Sequence, residues 1–164
     1  ETLGRLRYLD ATVRESMRLT PIASALPRAA LEPITIQGVD IPAGVGVLAL
    51  NFPIHLDSKL YADPLRFDPG RMLEDRAKPE HWFPFGGGYR RCLGAYFATL
   101  ELKFIVAAFV ERVQFGPASD DRSLRQGKTG IITGPKDEGP IRVDAIRPRP
   151  ATGGTDQVSP SSAL

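Results

Sequence analysis

The sequence predicts a mainly α fold with small antiparallel β-sheets, an α+β arrangement. Three observations predict it. Residues 5–19 repeat apolar side chains at helical spacing, and residues 95–113 are apolar on nearly every face. Residues 34–50 alternate short apolar runs with turn residues. The 164 residues suffice for one modest domain. Gly (16) and Pro (15) are both abundant, which predicts many turns and much irregular coil rather than a helical bundle.

Charge and composition exclude several function classes. Lys and Arg number 21 against 19 Asp and Glu, for a net charge of +2. That balance argues against a dedicated nucleic-acid binder or a polybasic membrane anchor. Hydrophobic residues at 42% and charged residues at 24% are ordinary for a soluble globular chain. One cysteine excludes an internal disulfide, and two histidines argue against a Cys/His zinc cage. The longest strongly apolar run, Phe104 to Val110, lies between Lys103 and Glu111 and is far shorter than the ~20 residues of a bilayer span. The chain opens Glu1-Thr2-Leu3, without a methionine or a basic leader. Helical periodicity starts almost at once, so the sequence reads as a fragment whose true start lies upstream.

Each element has its local cause. In the first helix Leu6, Leu9, Val13 and Met17 share a face, with Arg7, Asp10 and Arg14 between them, and Pro21 stops it. Ile34-Thr35-Ile36 runs into a Gln37-Gly38 turn and on to Val39 and Ile41. Val47 to Leu50 follows Pro42-Ala43-Gly44. Residues 51–94 carry few periodic apolar stretches and many Pro, Gly, Asp and Arg; so long an irregular stretch is usually functional. The helix over 95–113 is expected to be buried, because it is apolar almost all round. Short strands are expected at Ile131-Ile132-Thr133 and Ile141-Arg142-Val143. From Arg147 the composition turns to Pro, Gly, Ser and Thr, which predicts a domain over 1–146 and a disordered tail over 147–164.

The chemistry-bearing segment is Phe85-Gly86-Gly87-Gly88-Tyr89-Arg90-Arg91-Cys92-Leu93-Gly94. A lone cysteine is most often a small buried hydrophobe. Here glycines permit close backbone approach or positive φ. Arg90, Arg91 and the start of the apolar helix also bring positive charge to the sulfur. That setting suits a metal-ligating thiolate. A phosphate loop would require Lys-Ser or Lys-Thr at the helix start, and neither follows.

This segment resembles the cysteine-ligand loop of the cytochrome P-450 family, F-x-x-G-x-R-x-C-x-G. Phe85, Gly88, Arg90, Cys92 and Gly94 fill its fixed positions, a coincidence with odds on the order of 10⁻⁵. The resemblance implies haem b (iron protoporphyrin) with Cys92 as axial iron ligand. It implies that Phe85 shields the sulfur and that Gly88 and Gly94 bring backbone N–H groups near it. Arg90 would pair with one haem propionate and Arg28 with the other. Trp82 would either support the haem edge or pack in the core.

Leu9 to Leu19 looks like the K helix of the same family, with Glu15 and Arg18 three residues apart on one face. Arg71, in Phe67-Asp68-Pro69-Gly70-Arg71, matches the third member of the family's structural Glu-Arg-Arg triad. Ala23, Ala25 and Leu26 resemble the strand lining the distal pocket, and Ile131 and Ile132 a second substrate-contact region. Their small apolar character implies a lipophilic small-molecule substrate. Met72, Gly70 and the His55-Leu56-Asp57-Ser58 stretch depart from the usual family pattern and leave the subfamily open.

The resemblance covers residues 1–145 and only the C-terminal part of the family fold, from the K helix through the cysteine loop and L helix. It implies a haem-thiolate monooxygenase that inserts one atom of dioxygen into a lipophilic substrate. Electrons would come from a ferredoxin or a flavoprotein reductase. The long oxygen-activating helix would precede Glu1, so turnover by this piece alone is not expected. Alternatives are a peroxygenase or isomerase, a nonenzymatic haem-binding protein, or a degenerate interaction domain. No nucleic-acid partner is expected, and the lack of a membrane segment points to a cytoplasmic protein of bacterial type.

Overall fold

A computed structural model describes residues 6–73, 79–117, 126–129, 132–135 and 141–148. The first helix, α1 (Arg7–Leu19), ends as Pro21 requires, with the Thr20 backbone N–H and hydroxyl both donating to the Ser16 carbonyl. Its inward face holds Ala11, Val13, Glu15 and Arg18. Two of the four are charged, so this is not a purely apolar stripe.

Among the described residues the strands form four two-stranded antiparallel sheets. β1 (Ala25–Ala29) pairs with β4 (Gly46–Leu50), with Arg28 opposite Val47. Between them, β2 (Ile34–Ile36) and β3 (Val39–Ile41) make a hairpin whose two-residue loop places both Gln37 (φ 48°) and Gly38 (φ 81°) in the left-handed region. That is the primed turn whose twist matches antiparallel strands.

The stretch expected to be irregular contains two one-turn helices, α2 (Phe52–His55) and α3 (Gly70–Leu73), and a 3₁₀ turn at Gly88–Arg90. α3 lies against α1, where Ala11, Tyr61 and Met72 form the buried cluster with Leu73 and Trp82 beside it. Trp82 therefore packs in the core. Its Nε1 donates to the Arg14 carbonyl at 3.1 Å, and the Arg14 guanidinium sits 5.1 Å from its ring centre. Met72, a departure from the family pattern, is one of the most buried apolar residues at 3% exposure.

The last long helix is α4 (Ala95–Arg112), followed by β5 (Val113–Pro117), β6 (Gln126–Thr129), β7 (Ile132–Pro135) and β8 (Ile141–Ile146). β5 pairs with β8 and β6 with β7. The expectation that α4 is buried is corrected. Ala95 is buried, but Tyr96, Phe97, Leu100, Phe104, Phe109 and Val110 are exposed. A helix apolar all round needs neighbours all round; here α1 and β5 cover it on one side. The Lys103 ammonium pairs with Asp10 across the α1–α4 contact.

The strand expected from Ile131 begins at Ile132, and Ile131 lies outside the described residues. The expected tail over 147–164 is described only at Arg147 and Pro148. There the Arg147 N–H donates to the Arg112 carbonyl and its guanidinium to the Glu111 carbonyl.

One buried network joins these elements. Arg18 Nε and Nη2 each donate to the Glu15 carboxylate at 2.8 Å, a bidentate pair with both side chains wholly buried. Arg71 Nε donates to Glu15 Oε1 at 3.1 Å, and the Asp68 backbone N–H to the same oxygen at 3.0 Å. Arg18 Nη1 reaches the His55 carbonyl at 2.6 Å, and its guanidinium lies 4.8 Å from the Tyr61 ring centre. Arg71 Nη1 donates to the Ala62 carbonyl at 2.8 Å. The side chains of α1 thus hold the backbone of residues 55–71. Glu15→Ala should cost about 3–5 kcal/mol in urea unfolding, because it strands two guanidiniums, one of them fully buried. Arg71→Ala should cost less, since Glu15 keeps Arg18 and the Asp68 N–H.

Candidate functional site

The cysteine loop is held by its own backbone. Gly86 N–H donates to the Phe83 carbonyl (2.9 Å), Arg91 N–H to Gly88 (3.2 Å) and Cys92 N–H to Phe85 (2.9 Å). Two glycines carry positive φ, Gly86 at 73° and Gly88 at 62°. At Gly86 a side chain would also press on Leu26, whose Cδ1 lies 3.4 Å from where a Cβ would stand. At Gly88 that space is open, so the dihedral alone requires glycine there. Gly94 caps α4 without a side-chain hydrogen bond, and a Cβ on it would stand 3.8 Å from the Cys92 sulfur. The start of α4 thus lies beside Cys92, as the spacing required.

The Cys92 side chain is exposed and opens onto a cavity of about 500 Å³. Phe85, Arg90 and Pro84 line it from the loop, and Met17 from the last turns of α1. The opposite wall is Pro21, Ile22, Ala23, Ala25, Leu26, Pro27 and Arg28, along β1 and the residues before it. The volume falls within the range of small-molecule and cofactor sites. Of the residues singled out from the sequence, the cavity gathers Cys92, Phe85, Arg90, Arg28, Ala23, Ala25 and Leu26. Gly88 and Gly94 shape the loop behind them. Ile132 stands apart from this wall but is tied to it by an isolated antiparallel bridge to Ala23.

Two guanidiniums and one sulfur at the edge of an apolar cavity form a distinctive donor set. Arg28 Nη1 donates to the Pro27 carbonyl at 2.7 Å, which leaves its other nitrogens free to bind a carboxylate. Arg91 instead stacks on Tyr96, 5.5 Å from the ring centre. Among the described residues no group of three or more His, Cys, Asp or Glu could hold a metal ion. Among the described residues, then, Cys92 alone offers itself to a metal, which suits a group that brings its own remaining donors. A flat apolar macrocycle with two carboxylates fits that donor set.

Comparison with known proteins agrees with this geometry. The sequence profile of the family described as Cytochrome P-450 matches residues 1–139. The chain belongs to the cytochrome P-450 family. It is 37% identical over 145 residues to a putative cytochrome P-450 135B1 of Mycobacterium bovis, covering 88% of this chain and 30% of the relative. It is 34% identical over 155 residues to cytochrome P-450 3A29 of Sus scrofa, covering 93% of this chain and again 30% of the relative. Among solved structures, a retinoic acid-bound cyanobacterial CYP120A1 superposes with a TM-score of 0.79 at 30% identity, over 88% of this chain and 34% of that one. The chain thus spans about 30% of the length of these curated relatives. Cytochromes P-450 are haem-thiolate oxidoreductases, and the fold is the α+β arrangement expected. No helix among the described residues is long and apolar enough to cross a membrane.

Sequence reading missed two polar residues behind the cavity. Asn51 and His55 are both wholly buried. Asn51 Nδ2 donates to the Ala23 carbonyl at 2.9 Å, and His55 Nε2 accepts the Phe83 N–H at 3.2 Å. The available signal was two polar residues four apart in the otherwise apolar Phe52-Pro53-Ile54 setting, which puts them on one helical face. Burial pushes the His55 pKa down to about 4; the Arg18 backbone acts on the ring in the raising direction, and the Arg18 charge lowers it further. The native ring is therefore neutral, whereas an unfolded histidine takes up a proton below about 6.5. The contribution of His55 to stability should be complete above pH 6.5 and lost progressively as pH falls towards 4. Urea unfolding between pH 7.5 and 4.5 should show this slope, and His55→Gln should flatten it relative to the unchanged protein.

Proposed function

We propose that this chain is the cysteine-ligand part of a haem-thiolate monooxygenase that oxidises a lipophilic small molecule. The observation that carries the reading is the convergence of Arg28 with Cys92 and Arg90 of the loop on one apolar cavity, from two segments far apart in the chain. In this reading Cys92 Sγ would ligate the iron of haem b. Bound haem supplies an iron centre able to activate dioxygen, with a thiolate ligand that favours O–O cleavage.

The remaining roles belong to the chain's own groups. Arg28 and Arg90 hold the two propionates by charge-assisted hydrogen bonds. Phe85 would flank the sulfur beside the bound group, the positive φ of Gly88 turns the loop that aims it, and Gly94 keeps a side chain away from it. Ala23, Ala25 and Leu26, with Ile132 through its bridge, offer a substrate small apolar surface. The Glu15, Arg18 and Arg71 triad holds the meandering backbone on which the loop rests and does no chemistry on substrate. Reducing equivalents come from a separate ferredoxin or flavoprotein reductase.

The deciding measurement is a haem titration reduced under carbon monoxide. A red-shifted thiolate-type band is expected, and Cys92→Ser should abolish it. A band that survives the serine substitution would overturn Cys92 as ligand. Arg28→Ala and Arg90→Ala should each keep the band while weakening haem affinity about tenfold.

A further inference from the structure

We propose that Asn51 and His55 are positioning residues that set the separation between the two walls of the cavity. This rests on the haem reading for its purpose, but its geometry is independent of it. The helix α2 is a single turn with polar bonds to two segments that also touch directly, where Leu26 lies against Gly86 of the loop. At its start Asn51 Nδ2 holds the Ala23 carbonyl of the apolar wall. At its end His55 Nε2 accepts the Phe83 N–H.

From Phe83 the constraint runs through backbone alone. The Phe83 carbonyl accepts the Gly86 N–H, and the Phe85 carbonyl accepts the Cys92 N–H. The His55 ring also meets the Phe83 ring edge-on, with centroids 5.5 Å apart at 66°. α2 itself is anchored, because Arg18 of the buried triad donates to the His55 carbonyl. Ala23 passes its constraint on to Ile132 through their bridge. One turn of helix thus reaches both the sulfur-bearing loop and the apolar strand.

The unused atoms show that both residues carry a desolvation cost beside the bonds they make. Asn51 Oδ1 and His55 Nδ1 are buried without a partner among the described residues. An apolar residue of similar shape would carry no such penalty. What an apolar residue could not do is hold Ala23 or Phe83. The bond to Phe83 also requires a neutral ring with its proton on Nδ1, because a protonated imidazole has no acceptor.

Residue-resolved amide hydrogen exchange on the chain, with His55→Phe, His55→Gln and Asn51→Leu, tests this. His55→Phe keeps the ring and removes the acceptor. The Phe83 and Cys92 amides should then exchange about tenfold faster, with the α1 amides unchanged. His55→Gln, which restores an acceptor, should return both to within about twofold of the unchanged chain. Asn51→Leu should loosen the Ala23 and Ile132 bridge and leave Phe83 protected. Unchanged exchange at Phe83 and Cys92 in His55→Phe would overturn the proposal. So would equal acceleration throughout α1, or failure of glutamine to rescue.

A haem titration of the same variants separates the two ideas. His55→Phe should weaken haem binding about tenfold, and His55→Gln should restore it. Absence of any Cys92-dependent band in the unchanged protein would overturn the haem reading, and the exchange result would still decide the positioning role.

Discussion

A carboxylate taken wholly out of water must be met by positive charge and hydrogen-bond donors, or it will not stay ionised where it is. Glu15 meets that demand with Arg18, Arg71 and the Asp68 N–H. The consequences spread outward because the two arginines have donors to spare. Arg18 uses one on the His55 carbonyl, and Arg71 uses one on the Ala62 carbonyl. A stretch with few apolar anchors of its own is thereby fastened to the one regular helix beside it. Residues 55–71 keep their course because this charge balance holds them together with the packing of Tyr61 against Ala11 and Met72.

The cavity inherits its shape from that fastening. Its loop wall is a run of glycines and backbone hydrogen bonds, rigid locally but with few side chains to fix it to the rest. Its strand wall is β1, held to β4 at its outer edge. His55 and Asn51 add polar cross-links to the contact of Leu26 with Gly86, and Arg18 ties His55 back to the triad. The sulfur of Cys92 therefore sits at the end of a chain of polar contacts that begins at a buried carboxylate. Burial of charge, usually weak evidence for stability, here organises geometry.

The helix α4 obeys a different constraint. Its N-terminus is set by Gly94 beside the sulfur, and its Lys103 is paired with Asp10 of α1. Its aromatic and aliphatic side chains remain exposed along the sides that α1 and β5 leave free. The side chains that make it a strong helix in sequence are thus largely unsupported by packing, while its starting point is tightly specified.

The sequence by itself determined what depends on neighbours along the chain. Cys92 with its glycines and arginines, the i and i+3 placement of Glu15 and Arg18, and the Gln37-Gly38 hairpin were legible because short-range spacing dictates their dihedrals and faces. The same loop carried the family, which the geometry and the relatives then bore out. For distant groups, local spacing was silent: the family resemblance named Arg71 and Arg28, and only the tertiary structure shows where they meet their partners. Arg71 reaches Glu15 across 56 residues, and Arg28 comes round to the cavity of Cys92. Local sequence reading did not single out Asn51 or His55; only their burial and partners did. The expected burial of α4 failed for the same reason. Periodicity tells which side chains prefer to leave water, but not whether another element is there to receive them.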